Sequence, residues 1–173
     1  MNIQETLNTF PEYAKDIKLN YSKIINENIF NQQQLYAIIL VSSFATKMDD
    51  LVKAALNEAK DIIDETLIDD VYGAFSLMSM NAIYYRFTHL TNEQSYSSMP
   101  ANLRMQYMSK HKISKSDFEL LCLAVAILMG CGKCINAHEA VLRENNVENI
   151  KIQTVARIVS IINSMANILE VKS

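Results

Sequence analysis

The chain has 173 residues, half of them apolar, with three Gly, two Pro and a formal net charge of −3. That length fits one domain with a sizeable core, and so few turn-formers exclude a strand-and-turn architecture in favour of an all-helical one. No block of Lys and Arg is present, which excludes the clustered cations that phosphate binding needs, so nucleic acid is not an expected partner.

The first helix is expected over Asn2 to Ile17, with Pro11 marking a turn or a helix start inside it. Asn31 or Gln32 opens the next, through Leu35 to Leu40. Asp49 and Asp50 place negative charge at the start of a helix through Leu51 to Leu56. Asp69 and Asp70 stand in the same way before Val71 to Phe87. The stretch Thr91 to Met105 is polar and weakly periodic, contains Pro100, and reads as the long loop between two halves. Ser116-x-x-Glu119 has the form of a capping box before an apolar run, so a helix is expected from Asp117 to Met129, ended by Gly130. Cys131 to Asn145 and Lys151 to Val171 are the last two helices expected.

Sliding the chain by 86 positions sets Leu35 on Leu121, Lys47 on Lys133, Ala54 on Ala140, Leu56 on Leu142 and Glu58 on Glu144, and the apolar patterns agree. Two readings stay open. One is a degenerate internal repeat, with halves at about 31–90 and 106–173 of a single domain spanning 1–173. The other is unrelated helices of one composition. In the repeat reading Ala45, Met48, Val52 and Gln33 replace the chemical residues of the second half, which leaves the first half silent.

The longest uncharged apolar runs are about a dozen residues, too short to span a bilayer. The N-terminus has neither a cationic start nor an apolar h-region, so the expected location is cytoplasmic and no membrane is expected. In that compartment thiols are kept reduced, and a Cys-x-x-Cys pair points to redox catalysis or a metal.

Cys131-Gly132-Lys133-Cys134 is such a pair, and His138 follows four residues later. At the start of a helix, positions i and i+3 bring Cβ atoms about 5–6 Å apart, close enough for a disulfide. Cys131, Cys134 and His138 share one helical stripe. The helix N-terminus favours thiolate at Cys131, the imidazole favours Cys134, and the Lys133 cation could lower either pKa, so spacing leaves the attacking thiol open. Glu119 opens the preceding helix and reaches the motif only if the two helices pack antiparallel with those ends overlapping. Other readings compete. The cysteines could be two small buried hydrophobes. A zinc site on Cys131, Cys134 and His138 lacks a fourth ligand, because His89 and His111 stand alone in polar segments. A thioredoxin domain would put a strand before the motif, where this chain has a helix. Cys122, on the apolar run, reads as core. Tyr84, Tyr85 and Arg86 have two readings, a place near a site or an interface and, as is commoner for aromatics at helical spacing, the core.

At Glu119, Cys131, Cys134 and His138 the chain resembles the alkylhydroperoxidase D (AhpD) family, in the carboxymuconolactone decarboxylase-like superfamily. Asp117 to Leu120, Leu123 to Val125, Gly130 to Cys134, Ala137 to Glu139 and Leu142-Arg143 follow the family pattern in order. Met80-Asn81, Tyr84 to Phe87 and Pro100 to Met105 also look like it. The resemblance implies an all-helical AhpD-like subunit with a pseudo-repeat, assembled as a homotrimer. It implies an antioxidant enzyme that reduces alkyl hydroperoxides and regenerates a partner peroxiredoxin (AhpC-like). Electrons would come from dihydrolipoamide on the lipoylated acyltransferase of a 2-oxoacid dehydrogenase complex, with no bound cofactor or metal. Carried onto this chain, Cys134 becomes the sulfenic acid. Cys131 gives a proton and then closes the Cys131–Cys134 disulfide. Glu119 is the general base, and His138 relays protons with it through water. One position departs from the pattern: several members have His where this chain has Lys133. An ammonium stays charged at neutral pH, which shifts proton transfer onto Glu119 and His138. Two alternatives accompany this reading. One is a redox adaptor with little peroxidase activity of its own. The other is a non-redox decarboxylase, against which the thiol pair argues.

Overall fold

A computed structural model describes residues 1–172; Ser173, the last residue of the expected domain, lies outside the described residues. The described chain is all-α, with no strand among its residues. Its helices are α1 (Ile3–Asn8), α2 (Lys15–Ile25), α3 (Gln32–Thr46), α4 (Asp49–Ala59), α5 (Glu65–Leu90), α6 (Ser95–Ser98), α7 (Lys115–Leu128), α8 (Gly132–Glu144) and α9 (Asn149–Lys172). Short 3-10 turns stand at Glu12–Ala14 and Gln106–Ser109.

α3 and α7 form the centre. Each is buried nearly all round, over Ala37 to Ala45 in α3 and Phe118 to Ala126 in α7. They pack on each other and on α5 and α9. Side chains hold their starts together. Asn31 caps α3 by accepting from the Gln34 N–H at 2.8 Å. The Gln34 side chain in turn donates to Asp117 Oδ1 at 2.6 Å, in the first turn of α7. Around this pair, α1 is pinned by the Ile3 N–H donating to Glu58 of α4 at 2.7 Å. Arg157 of α9 grips Glu27 just past α2 with two bonds of 2.6 and 2.7 Å. That pairing holds the Glu27 carboxyl below its usual range.

The expected first helix is divided: Pro11, which lacks an N–H, stands between α1 and the 3-10 turn. α5 begins at Glu65 behind an Asp64 cap, so Asp69 and Asp70 lie inside the helix and not at its start. The cap of α7 is Ser114, which accepts from the Asp117 N–H, and not Ser116. The stretch expected as an irregular loop contains the short helix α6.

Landmarks in the two halves recur at a fixed interval. Asn31 and Ser114 cap α3 and α7, 83 positions apart, and Lys47 and Gly130, the left-handed residues that end those helices, are also 83 apart. The interval of 86 suggested by residue identities is three positions longer, close to one helical turn. A slip of that size keeps apolar faces aligned, which is why the patterns agreed. At an interval of 83, Met48 stands opposite Cys131, Leu51 opposite Cys134, Ala55 opposite His138 and Tyr36 opposite Glu119.

α9 is the one helix among the described residues long and apolar enough to cross a membrane. It is longer than the apolar runs suggested. Val155, Ile158, Val159, Ile162, Met165 and Ala166 are buried at helical spacing against α3 and α7, which is the stripe of a core helix.

Candidate active site

Apolar periodicity carries α7 into the core, and glycine ends it. Gly130 adopts φ +66°, a conformation open to glycine without steric cost. The Cys131 N–H donates to the Ala126 carbonyl at 3.1 Å, and the Gly130 N–H to Ile127 at 3.0 Å. Together these form a Schellman cap. Arg86 of α5 donates to the Met129 carbonyl at 2.7 Å, a cation placed on the negative end of α7. The chain then reverses directly into α8.

Cys131 is not in the first turn of α8 as expected; it is the N-cap. Its Sγ accepts from the Cys134 N–H at 3.3 Å. The two Cα atoms are 5.3 Å apart and the sulfurs stand at bonding distance. His138 follows one turn beyond Cys134. The overlap of α7 with α8 required by the sequence exists: Glu119 Oε2 lies 2.6 Å from His138 Nδ1. The two side chains meet directly. With Glu119 as carboxylate, Nδ1 carries the ring proton and donates it, and Nε2 is the free lone pair. All four residues are buried: Cys131 0% exposed, Cys134 5%, Glu119 6% and His138 8%.

Only two of the four line a cavity. Cys134 and His138 line a cavity of about 260 Å³ whose other walls are Met78, Asn81 and Tyr85 of α5, Met105 and Met108 beside the 3-10 turn, and Lys133 and Ala137 of α8. Cys131 and Glu119 lie behind it. Nearly all of this wall is carbon and sulfur. Lys133 sits at the edge, its ammonium 5.3 Å from the centre of the Tyr85 ring. Sequence reasoning missed the wall. Of the two readings open for Tyr85 the place near a site is the one found, while Met105 and Met108 belong to a stretch with no periodicity to place it. A second cavity, about 130 Å³ between α3 and the starts of α5 and α7, contains neither thiol.

Among the described residues, no three His, Cys, Asp or Glu gather as a metal would require. His111 is engaged elsewhere, stacked on Phe118 with ring centres 4.5 Å apart. Cys122 is the remaining cysteine among the described residues. Burial pushes its thiol well above the usual range, and the nearby Glu119 charge adds to this. We therefore expect iodoacetamide at neutral pH to alkylate no more than Cys131 and Cys134 in the reduced folded protein. Cys122 should gain the label only in denaturant, as read by intact mass.

Residues 95–172, which include α6, α7, α8 and α9, match the carboxymuconolactone decarboxylase family model. The chain is 41% identical over 171 residues to the alkyl hydroperoxide reductase AhpD of Acidobacterium capsulatum, covering 98% of this chain and 93% of that protein. It is 41% identical over 170 residues to the AhpD of Azorhizobium caulinodans, covering 98% and 94%. Identity to the AhpD of Solibacter usitatus is 39% over 173 residues, covering 100% and 98%. On this likeness along nearly its full length, the chain belongs to the alkyl hydroperoxide reductase AhpD family.

Proposed function

We propose that this protein is an antioxidant thiol peroxidase that reduces alkyl hydroperoxides at Cys134. The observation that carries the reading is the division of the site: Cys134 and His138 face an apolar cavity, while Cys131 and Glu119 support them from behind. An alkyl group suits walls of Met and Tyr, and the name carried by the relatives points to the same substrate class.

The geometry supports the following steps. An unperturbed thiol is only a few per cent ionised at neutral pH, so a base is needed. His138 takes the Cys134 proton at Nε2, and the imidazolium is stabilised by the Glu119 carboxylate at Nδ1. The thiolate attacks the terminal peroxide oxygen and the O–O bond breaks. The alcohol leaves with a proton returned by the relay, and Cys134 becomes a sulfenic acid. Cys131 attacks that sulfur, hydroxide leaves and is protonated to water, and the disulfide forms. Dihydrolipoamide restores the dithiol by exchange. The sulfur that borders the cavity is the one for dihydrolipoamide to attack. Cys131, at the helix N-terminus and accepting the Cys134 N–H, is the better leaving thiolate.

The same reading makes a lipoylated acyltransferase of a 2-oxoacid dehydrogenase complex the source of electrons and an AhpC-like peroxiredoxin the partner. It includes homotrimeric assembly and a cytoplasmic location, and the support for these is the family resemblance. Lys133, held over Tyr85, takes the place of the family's His without a proton-relay role.

The test is consumption of cumene hydroperoxide by purified protein with dihydrolipoamide and no peroxiredoxin. Brisk turnover is expected. Turnover that appears only after a peroxiredoxin is added would identify a redox adaptor instead. Glu119→Gln keeps the shape of the pair but loses the charge that supports the imidazolium. It should lower turnover by about 10²–10⁴-fold, the usual contribution of an acid–base group.

A further inference from the structure

Asn81 is a polar residue in an otherwise apolar stretch of wall. It stands on α5 among Leu77, Met78 and Ala82, all buried, and is itself 6% exposed. It borders the same cavity as Cys134 and His138. Its Oδ1 is fully buried and has no hydrogen-bond partner. Only two other buried side-chain atoms among the described residues share that condition, the hydroxyls of Thr91 and Thr154, and neither borders this cavity. A buried carboxamide without a partner is costly, and native proteins rarely leave one unless something else fills the need.

We propose that Asn81 is a substrate-binding residue that holds the –OOH group of the hydroperoxide against Cys134. This deepens the peroxidase reading and rests on it. The match is one of donors and acceptors. A hydroperoxide has one O–H donor and two acceptor oxygens, and a carboxamide has one acceptor and two donors. The terminal amide torsion of Asn is broad and roughly two-fold, so either end can be turned to the ligand. Turned about that torsion, the carboxamide brings Oδ1 out of its buried position to accept the peroxide O–H, with Nδ2–H beside it donating to a peroxide oxygen; this fixes the O–O bond while Met78, Met105 and Met108 take the alkyl group. Asn81 transfers no proton and forms no covalent bond. It also has no part in the disulfide's reduction, since a dithiol reductant presents no –OOH.

That separation provides the test. The two half-reactions can be followed apart by stopped flow: oxidation of the reduced protein by cumene hydroperoxide, and reduction of its disulfide by dihydrolipoamide. Asn81→Leu, of nearly the same size, should slow the first by about 10–100-fold, the loss expected for one or two hydrogen bonds at a buried site. It should leave the second unchanged. Asn81→Asp keeps the shape and an acceptor but loses the donor, and should slow the first step as well. Equal oxidation rates in wild type and both variants would overturn the proposal, and so would an equal loss in both half-reactions. A wild-type protein that cumene hydroperoxide does not oxidise would overturn the peroxidase reading itself, a different result from either.

Discussion

Cys134→Ser should abolish peroxide turnover, and Cys131→Ser should stop it after one event. The two cysteines are close in sequence but unequal in place. Cys134 borders the cavity, whereas Cys131 is fully buried at the cap of α8. A peroxide entering the cavity meets the first sulfur only. A serine hydroxyl there is far too weakly acidic for His138 to ionise. The loss should reach at least about three orders of magnitude, as for other nucleophile deletions. With Cys131→Ser the first step survives, because His138 and Glu119 are untouched. The sulfenic acid then has no thiol to close on. One equivalent of hydroperoxide should be consumed per chain, and dimedone should add a single label at Cys134, read by peptide mass. A sulfenic acid trapped at Cys131 in a Cys134→Ser protein would reverse the order of attack. That result is the sharpest check on the roles, since the spacing of the motif supports both orders, and the cavity and the family resemblance favour Cys134.

Much of this site was legible in the sequence because its parts are local. A glycine after an apolar run is a helix stop, and Cys-x-x-Cys-x-x-x-His makes a stripe on the helix that follows. Glu119 was legible only as a condition, since its contact with His138 depends on how far α7 and α8 overlap. The cavity was not legible. Its far wall comes from α5 and from the segment around Met105 and Met108, and no local periodicity says that this segment folds back over α5. The same applies to Asp70. Beside Asp69 it looked like a helix-start acid, because two adjacent acids ahead of an apolar run fit the helix dipole. Asp64 takes the cap, and Asp70 is left a full turn inside with a different task. The repeat interval shows a related limit: residue matching cannot separate two registers one helical turn apart, whereas caps and left-handed residues can.

Asp70 carries the second large effect. Its carboxylate is fully buried and accepts three hydrogen bonds: from Tyr107 Oη at 2.9 Å, and from the Lys112 and Ile113 N–H groups, each at 2.8 Å. All three donors belong to the segment that brings Met105 and Met108 to the cavity. Gly73, one turn along α5, leaves the room that the Tyr107 ring occupies; a methyl group there would overlap three of its ring carbons. Asp70→Ala strands two backbone amides and leaves the Tyr107 hydroxyl only the Asp69 carbonyl, at 3.3 Å. Each orphaned amide costs about 1–3 kcal/mol, so a loss of about 2–6 kcal/mol is expected, on the order of 10 °C in Tm for a chain of this size. Asp70→Asn should lose less, because one acceptor oxygen remains. If the segment is released, the KM for hydroperoxide should also rise, while reduction of the disulfide by dihydrolipoamide should change little. The pH dependence has a definite sign. Burial, and then the bond to Asp70, raise the Tyr107 phenol from 10.0 to about 12. The unfolded chain loses that proton more readily. The contribution is therefore complete below about pH 10 and lost as the pH rises toward about 12. Tyr107→Phe should remove this part of the alkaline decline in Tm and leave the rest of the curve in place. An unchanged alkaline limb in that variant would mean that Asp70 holds the segment through its backbone amides alone.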